Sequence, residues 1–284
     1  MAGLQDYSSQ GTDLALQLLL ELVEHLKAYK DYIVLVGGWA PYFLLEGSAS
    51  RFGQSHVGSL DADFFLDFRS IPATAYETIF EILDRDGYSQ RKDRQGKVIP
   101  ASFERVVPLE GGGKFPMRVD FLAGEYGGTA RSHRHQKVQN MLAHKARGSD
   151  IAREQNYTRE ISGQMPNRAR VTVRLKIANE VAVFTMKGIT TGQRTKPKDF
   201  YDLYMLVKYF KEGPRSIAES IKPFLANKLV REAIVHIRRY FERSDSVGPN
   251  SVAEFFHPSD PEAWAVIQRD AFEQLQALLN ELDG

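Results

Sequence analysis

Two short apolar segments near the start of the chain constrain its fold more than any other feature. The first, Tyr32–Val36, ends at the pair Gly37-Gly38, and the second carries Asp61 and Asp63 among apolar residues. Side chains at positions i and i+2 of a β-strand point to the same side, so the two aspartates are predicted to project from one face of a sheet. Two carboxylates that close repel each other unless a cation lies between them. Because Mg2+ prefers oxygen ligands and is commonly shared with a substrate phosphate, the pair predicts phosphate chemistry.

The bulk composition is that of an ordinary globular protein. The 284 residues are 43% hydrophobic and 26% charged, with a formal net charge of +1 and no cysteine. The overall charge therefore does not indicate a polyanionic partner, and the lack of cysteine excludes disulfides and thiolate zinc sites. The start of the sequence has no signal-peptide pattern, and the longest apolar run, Leu14–Leu26, is too polar to span a bilayer. We therefore expect a cytoplasmic protein.

The pattern of apolar residues predicts two domains with different architecture. Residues 1–165 are predicted to mix strands and helices, and residues 166–284 to be mainly helical. Helices are predicted over 12–29, 39–46, 73–86, 134–147, 178–190 and 199–210. Strands are predicted over 32–36, 60–68, 103–109, 115–122 and 171–176, with a hairpin at 110–113 and a polar loop over 47–58. These elements indicate an α+β fold with a small mixed sheet flanked by helices.

A third acid, Asp120, also lies on a predicted apolar strand, between Val119 and Phe121. A buried charge is costly unless it is paired or binds a metal ion. Three strand aspartates are therefore candidate ligands of two Mg2+ ions, one activating an attacking hydroxyl and the other holding a triphosphate. The Gly37-Gly38 turn would offer backbone N–H groups to phosphate oxygens at the start of a helix.

A further ordered set of charged residues follows in the second half of the chain. Lys187 and Arg194 precede the segment 196–202, which reads Lys-Pro-Lys-Asp-Phe-Tyr-Asp. Together with the glycine turn, the Asp-x-Asp strand and the later aspartate, this pattern resembles the polymerase-β type of nucleotidyltransferase. In its second half it resembles the AbiEii/AbiGii-type toxins of bacterial toxin–antitoxin and abortive-infection systems, which act in phage defence. The resemblance covers residues 30 to 210, approximately.

The resemblance implies an Mg2+- or Mn2+-dependent enzyme with the nucleotidyltransferase fold, its active site completed by the helical C-terminal domain. Such an enzyme moves a nucleoside monophosphate from an NTP to an acceptor hydroxyl and releases pyrophosphate. The implied catalytic residues are Asp61, Asp63, Asp120, Lys187 and Asp199, of which the three strand acids would bind metal. The implied nucleotide-binding residues are Gly37, Gly38, Ser59, Lys187, Arg194, Lys198 and Asp202. The chain departs from the family in its long stretch between the turn and Asp61, and the role of the loop 47–58 is open.

The resemblance also implies partners, namely the 3' end of tRNA as acceptor and an antitoxin protein. The basic segment Arg131–Arg153 suits RNA phosphates, and Arg168, Arg170, Arg174 and Lys176 would extend it. A solvated basic helix face is the alternative for that segment. Two other functions stay open, namely transfer to an aminoglycoside-like small molecule or a protein hydroxyl, and a non-catalytic module that binds a nucleotide or a partner.

Several of the predicted site residues also have a purely structural alternative. The first two strand acids could be the solvated face of an edge strand, Asp120 could pair with Arg118, and the two glycines could serve only to turn the chain. The charged residues of the second half could form a local salt bridge at Lys187, a helix cap at Asp199 and an ion pair at Asp202.

Overall fold

The computed structural model describes residues 3–67, 70–71, 73–109, 111–125, 135–138 and 141–284. The chain divides into two compact units. The sheet unit consists of Ser9–Trp39 and Ser59–Ala178, and the helical unit consists of the residues before Ser9, Ala40–Gly58 and Asn179–Gly284. Within the ranges given above, no helix is long and apolar enough to cross a membrane. The domain boundary predicted near residue 165 stays a prediction.

Helices and strands are numbered here in chain order. The helices are α1 Ser9–His25, α2 Trp39–Leu44, α3 Ser48–Phe52, α4 Ala73–Arg85, α5 Glu180–Gln193, α6 Pro197–Tyr209, α7 Pro214–Ile221, α8 Lys228–Tyr240, α9 Val247–Phe256 and α10 Pro261–Asp283. The strands are β1 Ile33–Val36, β2 Asp61–Leu66, β3 Ser89–Lys92, β4 Val98–Pro108, β5 Lys114–Ala123, β6 His135–Val138, β7 Met141–Lys145, β8 Asn156–Gln164 and β9 Arg170–Ala178.

The sheet unit is built on one mixed β-sheet with the strand order β3-β4-β5-β2-β1-β9-β8. Strand β2 pairs antiparallel with β1 and parallel with β5, and β1 pairs parallel with β9. Strands β6 and β7 form an antiparallel pair whose second member lies parallel to β5. The two strands that the sequence marks out, β1 and β2, therefore lie in the interior of the sheet.

Burial explains why β1 and β2 occupy the interior of the sheet. All four residues of β1 are buried, as expected for an apolar run, rich in β-branched residues, that is covered on both faces. In the next strand, Phe64 is fully buried and stacks on Phe121 of β5 with ring centroids 5.8 Å apart. Burying a Phe side chain contributes about 1.5–3 kcal/mol, so such contacts hold the register of β2 against β5. Helix α1 covers the sheet with the apolar stripe that includes Leu18, Leu19 and Leu22.

The helical unit packs α5 and α6 at its centre. The Asn179 side chain caps α5 by accepting a hydrogen bond from the Ala182 backbone, and Pro197 begins α6 with its backbone already restricted to helical values. Helix α8 lies very close to α5, because a Cβ at Gly188 would be 2.7 Å from the Ala233 Cβ. Every residue from Pro197 to Val207 is buried, so α6 runs through the interior of this unit.

The structure confirms the predicted class, an α+β chain with a mixed sheet, flanking helices and a helical C-terminal region. The helix predicted over 134–147 is wrong, because 135–138 and 141–145 form strands. Pairing with β5 overrides the local pattern there, as it often does for strands. The loop predicted over 47–58 contains the short helix α3, and strands β3 and β8 were not predicted. The other residues of the predicted segment Arg131–Arg153, namely 131–134 and 139–140, lie outside the described part of the chain.

Candidate functional site

The strand aspartates lie together on one face of the sheet unit. In the parallel pairing of β2 and β5, Asp63 is opposite Asp120 and Asp61 is opposite Arg118. Residues opposite each other on neighbouring strands point to the same side and are about 5 Å apart. Asp61 and Asp63 alternate with the fully buried Ala62 and Phe64, so the two carboxylates share the face opposite the apolar side chains. The sheet therefore brings three carboxylates to one face.

The turn after β1 lies directly against the Asp63 carboxylate. Gly37 has a φ of +67°, a value that L-residues with a side chain rarely adopt. A Cβ built at Gly37 would lie 2.0 Å from Asp63 Oδ2, closer than any real contact. Glycine is thus required at residue 37 both for the backbone conformation and for the approach of the carboxylate.

Two hydrogen-bonded contacts fix the surroundings of the acids. The Ser59 hydroxyl donates to Asp61 Oδ1 over 2.5 Å, which orients the first carboxylate of the pair. On the neighbouring strand, Arg118 Nε donates to Glu104 Oε2 over 3.0 Å. The ion-pair partner that the structure gives Arg118 is thus Glu104 of β4, opposite it in register, whereas the alternative considered from the sequence was Asp120.

The donors of this face suit a hard divalent cation only in part. Carboxylate oxygens are the ligands that Mg2+ prefers, and Mg2+ is usually held by one or two carboxylates together with substrate phosphates. Among the residues whose side chains the structure describes, no three His, Cys, Asp or Glu groups are close enough to hold one ion. The Asp61–Asp63 pair thus fits a site that relies on ligands from the substrate, rather than a complete protein cage.

A second cluster of predicted residues lies in the helical unit. Lys187 of α5 contacts both acids of α6, with Nζ 2.8 Å from Asp199 Oδ1 and 2.6 Å from Asp202 Oδ2. Arg194 Nε donates to Asp199 Oδ2 over 2.8 Å. The structure therefore contains the local salt bridge considered for Lys187, and one basic residue bridges two carboxylates one helical turn apart.

The remaining charge of this cluster, Lys198, is held by Asp202 and by aromatic rings. Its Nζ donates to Asp202 Oδ1, one turn further along α6. The same ammonium group is 5.3 Å from the Tyr7 ring centroid, 5.2 Å from that of Tyr201 and 5.9 Å from that of Phe255. Cation–π attraction of this kind is worth more when the cation is desolvated, as Lys198 is.

His56 completes the cluster and was not predicted as a site residue. Its Nε2 is 2.9 Å from Asp202 Oδ1, while its Nδ1 accepts a hydrogen bond from the Gly58 N–H over 3.1 Å. The ring proton therefore lies on Nε2 and is donated to the carboxylate. Nearby, the Val57 N–H donates to the Tyr201 hydroxyl over 3.1 Å, so the loop 47–58 ends in polar contacts with α6.

Burial and charge have opposite effects on the pKa values of this cluster. Burial alone would raise the pKa of Asp202 and Asp199 and lower that of Lys187. Attraction between the opposite charges is larger, so the pKa of each carboxyl group lies below its usual value and the pKa of Lys187 lies above it. For His56, burial and the Lys198 charge lower the pKa from 6.5 to about 4 despite the Asp202 hydrogen bond. The cluster is therefore ionised at neutral pH around an uncharged imidazole.

The predicted site residues fall into two sets. The sheet unit brings together Gly37, Gly38, Ser59, Asp61, Asp63 and Asp120. The helical unit brings together Lys187, Arg194, Lys198, Asp199 and Asp202. Sequence reasoning missed His56 because it lies 146 residues from its partner, and no local pattern marks such a pair.

Comparison with known proteins gives a likeness of fold. Neither a protein-family model nor a curated protein matches the sequence. Among solved structures, the chain is similar to an antigenic nucleotidyltransferase-like protein from Paracoccidioides brasiliensis. The similarity covers 78% of this chain and 94% of that one, with 12% sequence identity and a TM-score of 0.38. Values this low do not carry the activity of that protein over to this chain.

Proposed function

We propose that the protein is a divalent-metal-dependent nucleotidyltransferase, which moves a nucleoside monophosphate from an NTP to an acceptor hydroxyl. The observation that supports this most is the placement of three aspartates on one sheet face, with Asp63 and Asp120 in register and Asp61 two residues away. The turn at Gly37 lies so close to the Asp63 carboxylate that it leaves no room for a side chain at residue 37. Phosphoryl transfer needs chiefly positioning and charge stabilisation, and such an arrangement can supply both.

The proposed reaction is one displacement at phosphorus. The acceptor hydroxyl oxygen forms a bond to the α-phosphorus, the bond from that phosphorus to the bridging oxygen breaks, and pyrophosphate leaves. Asp61 and Asp63 would hold Mg2+ or Mn2+ together with the triphosphate, and Ser59 keeps the Asp61 carboxylate oriented. Asp120 would accept the hydroxyl proton. A bound metal ion supplies neutralisation of the triphosphate charge and of the leaving group.

The nucleotide-binding role proposed for Lys187, Arg194, Lys198, Asp199 and Asp202 rests on the sequence resemblance. The five residues are engaged with one another in ion pairs, which holds their charges in fixed positions. Their side chains differ in exposure, with 12% for Lys187, 5% for Lys198 and 59% for Arg194. Arg194 is thus the member of this set whose side chain solvent reaches most freely.

The acceptor proposed is the 3' end of tRNA, and the role proposed is that of a toxin controlled by an antitoxin. Both rest on the resemblance to AbiEii/AbiGii-type toxins. A transferase of this kind would block translation by modifying the tRNA end to which amino acids are attached. An acceptor of another class, such as a small molecule or a protein hydroxyl, would leave the chemistry at the aspartates unchanged.

The test is a labelling assay with matched variants. The purified protein is incubated with Mg2+, total tRNA and each α-labelled NTP in turn, and label on RNA is measured. We expect label with the wild type and with Asp84→Asn, an exposed acid of α4. We expect none with Asp61→Asn/Asp63→Asn, and a loss of about 100-fold or more with Asp120→Asn, as for removal of a general base.

The possible outcomes separate the chemistry from the acceptor. Label on protein or on a small molecule, still dependent on the two aspartates, would support the transferase and refute the tRNA acceptor. Equal labelling by the wild type and the double variant would refute the site. Nucleotide binding without any turnover or pyrophosphate release would refute the enzyme and favour a binding module.

A further inference from the structure

The outward face of the two strands at one end of the sheet is polar and basic. Strand β8 ends the strand order and pairs antiparallel with β9. The register sets Thr158 opposite Lys176 and Glu160 opposite Arg174. Along both strands, exposed residues alternate with less exposed ones, so the two strands present one continuous outward face.

The other face of the same two strands packs on the core. Val173 and Leu175 of β9 are buried, and a Cβ at Gly163 of β8 would lie 2.4 Å from the Leu20 side chain of α1. Helix α1 therefore covers the inner face. The outward residues of β9 point the other way, and Arg170, Thr172 and Arg174 are all exposed.

Cations are in excess on the outward face. Arg170, Arg174 and Lys176 lie on β9, and a cleft of about 170 Å³ beside them is lined by Lys30, Asp31, Thr158, Arg174, Leu175 and Lys176. Lys176 Nζ donates to the Asp31 backbone oxygen over 2.9 Å, which places its ammonium group at the cleft. Within the described part of the chain, neither Arg170 nor Arg174 forms an ion pair with a carboxylate. We call the set Lys30, Arg170, Arg174 and Lys176 the basic ribbon.

We propose that the basic ribbon binds the phosphate backbone of RNA. Same-face residues of a strand are roughly 7 Å apart, so the cations of β9 form a row rather than a single point. Hydroxyl and amide side chains, which commonly contact phosphate and sugar, share this face at Thr158, Thr172 and Gln164. No aromatic or large aliphatic side chain of β8 or β9 is exposed there, which disfavours a membrane surface or an apolar protein groove.

This inference rests on the proposed function in one respect, since the ribbon would hold the RNA that serves as acceptor. Binding through the backbone carries no base readout and depends on salt, because each phosphate contact releases counterions. The ribbon would therefore contribute affinity for RNA, and the aspartate face would contribute the chemistry.

The test measures RNA binding directly, without NTP and without metal. Fluorescence anisotropy with labelled tRNA is recorded at several salt concentrations for Arg170→Gln/Arg174→Gln/Lys176→Gln. The matched control is Lys228→Gln/Arg231→Gln/Arg239→Gln, which removes one Lys and two Arg from the exposed side of α8. We expect the ribbon variant to weaken binding by about tenfold or more, and to reduce the salt slope by about 2, with the control unchanged.

A third variant is expected to change the affinity for RNA in the opposite direction. Glu160 is exposed and opposite Arg174 in register, so Glu160→Gln removes a charge that repels phosphate. We expect tighter RNA binding for this variant. Surface substitutions of this kind leave the fold intact, and the circular-dichroism spectrum and Tm of each variant check this.

Outcomes for the ribbon and for the transferase are distinguishable. Weaker RNA binding by the ribbon variant supports the ribbon even if no nucleotide is ever transferred. Transfer to tRNA with unchanged affinity and KM in the ribbon variant refutes the ribbon and leaves the transferase standing. Equal losses of RNA affinity in the ribbon variant and the α8 control would also refute the ribbon. So would tighter binding of the protein to acidic vesicles or to an acidic peptide than to RNA.

Discussion

Acidification between pH 6.5 and pH 4 is expected to destabilise the protein through His56. The imidazole is buried, with 1% of its side chain exposed, and one of its two hydrogen-bond partners requires its neutral form. Its Nδ1 accepts from the Gly58 N–H, so a proton added there would face another donor. Its Nε2–H donates to Asp202, whose charge is already compensated by Lys187 and Lys198.

The size of the effect follows from the difference in pKa between the folded and unfolded chains. Burial and the Lys198 charge lower the folded value from 6.5 to about 4. Above pH 6.5 the ring is neutral in both states and the pH has no effect through it. Below pH 6.5 only the unfolded chain takes up the proton, so the free energy of unfolding falls by about 1.4 kcal/mol per pH unit. The loss reaches about 3 kcal/mol by pH 4 and then levels off, because both states are protonated.

Aspartate protonation falls in a different pH window. The pKa values of Asp199 and Asp202 are lowered in the folded protein, so the stability they contribute is present above the ordinary pKa of an aspartate, 3.8, and is lost as the pH falls below it. The slope between pH 6.5 and pH 4.5 therefore reports chiefly histidines.

The assay is urea unfolding followed by circular dichroism at half-unit steps from pH 7.5 to pH 4.5. The variant is His56→Gln, which can still donate to Asp202 and does not titrate. We expect the stability difference between wild type and variant to shrink steadily as the pH falls. His257→Asn, at an exposed histidine, controls for removal of an imidazole. A constant difference between wild type and His56→Gln over this range would refute the buried neutral imidazole.

Two further substitutions test the two clusters separately. Asp202→Asn is expected to lower the free energy of unfolding by about 3–5 kcal/mol, because it removes the carboxylate that pairs with two nearly buried lysines. Glu219→Gln, in an exposed pair, should change the free energy of unfolding by less than about 0.5 kcal/mol. Equal effects of the two substitutions in urea unfolding would contradict this. Gly37→Ala is expected to cost about 1–2 kcal/mol for its positive φ and to abolish labelling of the acceptor by displacing the Asp63 carboxylate. The control is Gly47→Ala, because Gly47 has a φ of +90° and a Cβ built there has no atom within 4 Å, so this variant should show the backbone strain alone. Equal labelling by Gly37→Ala and Gly47→Ala would count against a role for the contact between Gly37 and Asp63.

The strand period was sufficient to predict the shared face of Asp61 and Asp63. It also placed Asp120 on a strand, but it could not show which strands are neighbours. Strand β5 lies parallel to β2 with Asp120 opposite Asp63. This arrangement depends on long-range strand pairing, which no local pattern encodes. The same limit explains the wrong helix at 134–147, where pairing with β5 decided the structure.

The sequence resemblance named the five charged residues of the helical cluster, but only part of their pairing follows from spacing. Lys198 and Asp202 are four residues apart, a separation that pairs side chains on any helix. The bridge from Lys187 depends on how α5 packs against α6, and the His56 contact depends on a loop far away in the sequence. The sequence thus identified the five charged members, and the tertiary packing showed how they pair and added His56.

The charge count of the helical cluster narrows the hypothesis about phosphate contacts. Lys187, Lys198 and Arg194 carry three positive charges against the two of Asp199 and Asp202, and His56 is neutral. The two lysines are nearly buried, so neither can turn to a ligand without breaking a buried ion pair with Asp202. Arg194 contacts Asp199 from the surface, where an ion pair costs little to rearrange. If any cation of this cluster contacts a phosphate, Arg194 is therefore the one expected to do so, while Lys198 holds the cluster together.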